Sequence, residues 1–234
     1  MDIKLLKYLL SHPLNRRQRA RAVAHIAAWA AATRLLRGCE VIIPFANQTR
    51  LLVTPGRWGS EANALCGLHE FNDMGFLLHL LRSGDAFCDV GANIGAYTVL
   101  ASGAAGAQSL AFEPVRTSHA ELCRNIDINA LAGLAQARHA AVGRAPGSLR
   151  ISSQYDTMNH VLDGGEGGPS EEVPVETLDD ALNGTTPCAI KIDVEGWENE
   201  VLAGAQNTLT KPGLQAIVIE LNQSGARYGF SDAA

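Results

Sequence analysis

The sequence has no Cys-x-x-Cys pair. Its five cysteines (39, 66, 88, 123 and 188) are scattered and odd in number, which argues against a zinc site and a disulfide framework. Cys88 and Cys188 fall within predicted strands and read as buried thiols suited to a reducing, cytoplasmic setting. No secretory leader is legible, because Lys4 and Lys7 interrupt the first apolar run and no small-residue cleavage site follows. The apolar run from Ala22 to Ala32 carries His25 and is too short to span a bilayer. Internal repeats are also missing.

What is present points to one soluble domain. The chain has 234 residues, 47% hydrophobic and 18% charged, enough to bury a core. Its net charge of −5 hides an asymmetry: residues 1–37 carry eight Lys/Arg and a single acid, Asp2, while the remainder is strongly acidic. A basic segment on an acidic body can meet a membrane surface or an anionic substrate, or simply be a solvated helix face. The segment 1–38 is therefore set apart from a main domain over 39–234.

Along the chain, residues 3–10 read as a short apolar helix broken at Ser11-His12-Pro13. Asn15 is the expected N-cap of a second helix from Arg16 to Arg37, with Gln18 in the capping-box position. Its apolar stripe is expected at Val23, Ile26, Ala30 and Thr33. Residues 39–45 and 50–53 predict a hairpin, and 72–82 a helix. Strands and helices then alternate: strands at 86–90, 109–112, 136–141, 188–193 and 215–221, helices at 96–102, 117–130, 177–182 and 198–210. That rhythm predicts a doubly wound α/β fold with a mostly parallel central sheet. Two short β segments, 148–153 and 173–175, interrupt it around the glycine-rich Asp163–Pro169, which reads as mobile.

Two stretches carry the chemistry. Asp89-Val-Gly-Ala-Asn-Ile-Gly95 places an acid at a strand end, then a glycine turn into a helix. Gly91 permits the turn and Gly95 a close ligand approach, while the helix N-terminus offers N–H groups to a carboxylate. It lacks the full Gly-x-Gly-x-x-Gly of dinucleotide sites, and Asp89 would repel a pyrophosphate, which weakens the reading as an NAD-dependent oxidoreductase. Asp89 instead suits a ligand bearing an ammonium. Glu113, at the end of the second strand, has the spacing of a carboxylate that accepts from both ribose hydroxyls. Small residues around Ala141 are candidates to line an adenine slot.

The second stretch is Lys191-Ile-Asp-Val-Glu-Gly196. Asp193 and Glu195 lie where a doubly wound sheet binds its substrate. There they can orient or deprotonate a hydroxyl, or hold a divalent cation that acidifies it. Each has a structural alternative as a helix cap. His160 is a candidate general base on a loop, and His69 a weaker one. Trp197 can stack on a sugar ring or pack the helix.

The ordered set Asp89–Tyr97, Phe112-Glu-Pro114 with Asn125 and Asn129, Thr177-Leu-Asp-Asp180, and Ile190–Gly196 with Glu200-Val-Leu-Ala-Gly204 resembles the FkbM family of S-adenosylmethionine-dependent methyltransferases. The resemblance covers roughly residues 39–221. It implies a Rossmann-like class I methyltransferase fold with S-adenosyl-L-methionine as methyl donor, and a hydroxyl of a sugar or glycoconjugate as acceptor. Asp89, Gly91, Asn93, Gly95 and Glu113 would then be cofactor residues, and Asp193 and Glu195 would flank the acceptor. Trp197 stands where a small residue is more usual. The chain stops soon after its last strand, so the expectation is a fold shortened at its C-terminus, or a fragment that binds the cofactor without turnover. An acidic body lacking an Asn/Asp-Pro-Pro-aromatic motif argues against a nucleic-acid substrate. Oligomeric state is not legible.

Overall fold

The computed structural model describes residues 3–36, 38–155, 158–162 and 167–230. The chain opens with three helices, α1 (Ile3–Ser11), α2 (Pro13–Arg16) and α3 (Arg19–Leu35). Asn15 does not cap: its Nδ2 donates to the carbonyls of Leu9 and Leu65, both at 3.0 Å, and so ties α2 to both of those segments. The N-cap of α3 is Gln18, which makes no side-chain capping bond. The buried stripe of α3 runs through Ala22 and Ile26 to half-buried Trp29, while Val23 and Ala30 face outward. The helix is rotated from expectation because Trp29 Nε1 donates to Glu61 at 2.6 Å and His25 Nε2 to the Ala64 carbonyl at 2.9 Å.

The hairpin of β1 (Val41–Pro44) and β2 (Arg50–Val53) pairs antiparallel. Two helices follow, α4 (Trp58–Cys66), which the sequence pattern does not announce, and α5 (Phe71–Leu80). The central sheet begins with β3 (Ala86–Val90), then α6 (Ala96–Val99), which runs on into a π turn over Leu100–Ala104. Next come β4 (Gln108–Phe112), α7 (Arg116–Ile128) and β5 (Ala135–Arg138). The strand expected over 136–141 splits after Arg138. Its second part, β6 (Ala141–Val142), joins β7 (Gly147–Ser152) and β8 (Ser170–Glu176) in a separate sheet of order β6-β8-β7. Residues 163–166 of the glycine-rich stretch lie outside the described residues.

The chain then re-enters the main sheet through α8 (Leu178–Leu182), β9 (Ala189–Ile192), α9 (Glu198–Ala203), α10 (Gln206–Leu209) and β10 (Ala216–Ile219). The single helix expected over 198–210 is broken at Gly204, where the backbone of Gly143 comes so close that a Cβ would lie 2.1 Å from its carbonyl oxygen. All five main strands are parallel, in the order β10-β9-β3-β4-β5. This is the doubly wound, Rossmann-like sheet that the alternation predicts. β9 reads Ala-Ile-Lys-Ile and is buried throughout, as a strand covered on both faces should be. Two large apolar clusters form the covering layers, one around Leu77, Leu100 and Leu122 and the other around Phe112, Ile192 and Val201. The thiols of Cys88 and Cys188 are buried.

Candidate active site

From β3 the chain steps outward through β4 to β5, then returns to the other side of β3 for β9 and β10. Connections therefore diverge between β3 and β9, and a crevice opens beyond the carboxyl ends of those strands. A cavity of about 280 Å³ lies there. Its wall includes the turn 91–94, Glu113, Ala141, the ends of β9 and β10, and His69 and Glu70 from the turn between α4 and α5.

The turn has little freedom. Gly91 sits at φ +80°, and a Cβ there would fall 1.8 Å from the Asp193 carbonyl oxygen, so only glycine lets β3 and β9 end side by side. Asn93 also takes a left-handed conformation, φ +51°. Its N–H donates to Glu113 Oε2 at 2.8 Å, and the Val115 N–H donates to Oε1 at 2.8 Å. The Glu113 carboxylate is thereby held rigid at the cavity wall, with a second acceptor position left on each oxygen. Burial pushes its pKa up to about 7, although both N–H bonds favour the charged form.

Two expected cofactor residues sit elsewhere. Gly95, also left-handed, is not part of the cavity wall: a Cβ would meet Leu122 Cδ1 at 2.4 Å, so the glycine serves the packing of α6 on α7. Asp89 lies fully buried beneath the wall. Thr98 Oγ1 donates to its Oδ2 at 2.6 Å, while Oδ1 has no hydrogen-bond partner among the described residues. Burial raises the Asp89 pKa against the pull of Lys191.

The ends of β9 and β10 form the other half. Lys191 Nζ donates to Asp193 Oδ2 at 2.8 Å and lies 4.7 Å from the centre of the Tyr97 ring. Burial lowers the Lys191 pKa, but Asp193, Glu70 and Asp89 more than offset this and hold it protonated. Glu195 adopts φ +52° and accepts from Asn222 Nδ2 at 3.2 Å, and burial raises its pKa. Glu220, just beyond β10, carries no signal in the sequence. Burial, then the charges of Asp193 and Glu70, push its pKa up to about 7. Lys191, Glu70 and Glu220 thus belong to the site alongside Asp193 and Glu195. No spacing links residue 70 or 220 to the β9 motif; only the fold brings them there.

His160 is not on this cavity wall. It stacks on Tyr155 with ring centres 5.7 Å apart, and it lines a separate depression with Ser152 and Met158. The histidine on the wall is His69, whose pKa is lowered by burial. Trp197 packs edge-on against Tyr228 at 5.0 Å while keeping one side on the cavity. Tyr228 in turn donates to the Val161 carbonyl at 2.7 Å, so the turn over Ser224–Tyr228 ties the cavity's outer wall together. Among the described residues, no three His, Cys, Asp or Glu side chains are gathered so as to hold a metal ion.

The residues present fit S-adenosylmethionine. Glu113 matches a ribose diol, and the turn at Gly91 is free of side-chain bulk. Asp89 Oδ1, Tyr97 Oη and Trp197 Nε1 are buried polar atoms under or on the wall that lack a well-formed hydrogen bond among the described residues, though Glu70 lies close enough to Tyr97 to raise its pKa further. Buried polar atoms left this way are the exception in folded proteins and mark places where a ligand or water belongs.

A family model described as the methyltransferase FkbM domain matches residues 89–232. No curated protein matches the chain. Among solved structures, the chain is similar to a precorrin-6Y C5,15-methyltransferase from Geobacter metallireducens, with 11% identity over 68% of this chain and 66% of that one, TM-score 0.42. It is also similar to the C-terminal domain of the Rhodobacter capsulatus precorrin-6Y C5,15-methyltransferase, with 16% identity over 67% and 66%, TM-score 0.42. A third is the Pyrococcus abyssi tRNA (uracil-54, C5)-methyltransferase in complex with S-adenosyl-L-homocysteine, with 13% identity over 42% and 23%, TM-score 0.32. The chain spans between about a quarter and two thirds of the length of these proteins.

Proposed function

The chain belongs to the FkbM methyltransferase domain family, and on that premise we propose that it transfers a methyl group from S-adenosylmethionine to a hydroxyl of a sugar or glycoconjugate. The observation that carries the reading is the Glu113 carboxylate, fixed by two backbone N–H groups beside the Gly91 turn at the switch point of the sheet. S-adenosylmethionine supplies a methyl on a positively charged sulfur, open to in-line displacement. Glu113 accepts from the ribose hydroxyls, and Ala141 offers a small side chain to the adenine.

The acceptor enters against the ends of β9 and β10. Four carboxylates, Glu70, Asp193, Glu195 and Glu220, share that wall with one ammonium, Lys191. Such a surface accepts hydrogen bonds from neutral hydroxyls and repels anions, which supports a polyol as the reacting unit. Asp193, anchored by Lys191, accepts from the acceptor hydroxyl and orients it. Glu220, with a pKa near the working pH, takes the proton as the oxygen attacks.

A calorimetric titration with S-adenosylmethionine, with NADH as control, tests the donor: saturable binding of the first alone is expected, and the reverse pattern removes the proposal. Asp193→Asn should then lower methyl transfer by roughly a hundredfold or more while leaving cofactor affinity within about twofold. Retained turnover takes Asp193 out of the reaction.

A further inference from the structure

The three N-terminal helices have no task in this reaction, and their surface is unusual. The outer face of α3 is poor in polar side chains: Ala24, Ala27, Ala28, Ala31 and Leu35 are exposed opposite the buried Ala22 and Ile26, with Arg21 and Arg34 at its borders and exposed Val23 on its flank. Exposed apolar side chains gathered on one face mark a surface that meets a partner. The same three helices are rich in cations. Lys7, Arg16, Arg17, Arg19 and Arg34 make no ion pair among the described residues, and Arg21 donates to Gln18. In the main domain Arg57, Arg116, Arg124, Arg138 and Arg144 are each paired to a glutamate, while Arg50, Arg82, Arg150 and Lys211 bond carbonyl or hydroxyl oxygens.

We propose that α1–α3 form a docking face for an anionic bilayer surface. No helix among the described residues is long and apolar enough to cross a membrane, so α3 lies in the interface rather than through it. The alanines, Val23 and Leu35 enter the boundary between headgroups and acyl chains, and the unpaired cations meet the lipid phosphates. Two other occupants fit less well. A nucleic acid would satisfy the cations and leave the apolar face in water. A second copy docked face to face would bring two strongly basic segments together.

The placement also bears on the cavity. His12 Nε2 donates to the His69 carbonyl at 3.2 Å, and the Tyr8 hydroxyl bonds His69 Nδ1 at 3.3 Å. His69 and Glu70 line the cavity, so the segment that carries the docking face packs against the cavity wall through α1 and the turn after it. The docking itself does not depend on the reaction proposed above.

The test is sedimentation of the full chain with vesicles of phosphatidylcholine alone, or with about 30 mol% phosphatidylglycerol, at about 0.1 M salt. Binding to the anionic vesicles alone is expected. The quadruple change Arg16→Ser, Arg17→Ser, Arg19→Ser and Arg21→Ser should weaken it by about a hundredfold or more. Ala28→Glu keeps every cation and a good helix former but spoils the apolar face. It should weaken binding at least about tenfold, and it decides the matter should the quadruple variant not fold. No sedimentation with anionic vesicles overturns the proposal. So does equal affinity for duplex DNA, indifference to both variants, or a concentration-dependent dimer that Ala28→Glu dissociates without any vesicle binding.

Discussion

Glu113 shows how one buried carboxyl can couple cofactor binding to pH. In the free protein its pKa is about 7, raised chiefly by burial. Two hydroxyls donating to it favour the charged form and pull the pKa down, so binding must release a proton wherever the free residue is protonated. Affinity for S-adenosylmethionine should therefore be constant above about pH 8 and fall by up to about tenfold per unit below pH 7. Calorimetry in buffers of different ionisation enthalpy reads the released proton directly. Glu113→Gln should lower affinity by about tenfold to a hundredfold at pH 8 and abolish the pH dependence. An unchanged pH profile in that variant would remove Glu113 from the cofactor site. The same shift acts on the fold with opposite sense. The native state holds this proton between the unfolded pKa of 4.5 and about 7, so the residue's contribution to stability is present at low pH and lost as pH rises through 7.

Elements are joined at this site by side-chain amides. Asn125 of α7 is fully buried; its Nδ2 donates to the Ile94 carbonyl at 2.8 Å, and its Oδ1 accepts from the Leu52 N–H at 2.7 Å. One residue thus clamps the cofactor turn to the N-terminal hairpin, and Asn129 repeats the contact one turn on by bridging both backbone groups of Arg50. Asn125→Leu keeps the volume roughly and strands a buried donor and acceptor, a cost of about 2–4 kcal/mol in urea unfolding. Cofactor affinity should fall with it, because the turn loses its strut. A stability loss below about 1 kcal/mol would mean that water replaces the amide. The doubly wound parallel sheet is legible in the sequence because apolar runs alternating with helix patterns admit few arrangements. The breaks after Arg138 and at Gly204 are not. Both arise where β6 and the turn after it approach other chain segments, and local pattern carries no record of such contacts. The buried face of α3 departs from its apolar pattern for the same reason, since Trp29 and His25 answer to partners on α4.

At the scale of the whole molecule, the acceptor half of the cavity is a property of no single segment. Asp193 and Glu195 stand out because a strand ending in two acids is a local signal. Glu70 comes from the turn between α4 and α5 and Glu220 from the far edge of the sheet, and they acquire meaning only when the sheet closes around Lys191. His160 fails as a candidate by the same logic, its loop turning the ring onto Tyr155 and away from the cavity. This convergence sets the chemistry. Burial and the charges of Asp193 and Glu70 push Glu220 to about 7, with Lys191 opposing them. A base of that pKa is about half ionised at neutral pH and still strong enough to take a proton from an attacking hydroxyl. With S-adenosylmethionine and acceptor both saturating, Glu113 is already ionised by its ligand, so the acid limb of kcat belongs to Glu220. The rate should rise tenfold per unit up to about pH 7 and then level. Glu220→Gln should lower the plateau by about a hundredfold or more and flatten the limb. Glu70→Gln removes one of the charges that raise Glu220, so it should move the limb to lower pH without abolishing turnover. A limb that stays at the same pH in both variants would place the proton acceptor elsewhere, with Glu195 next on the wall.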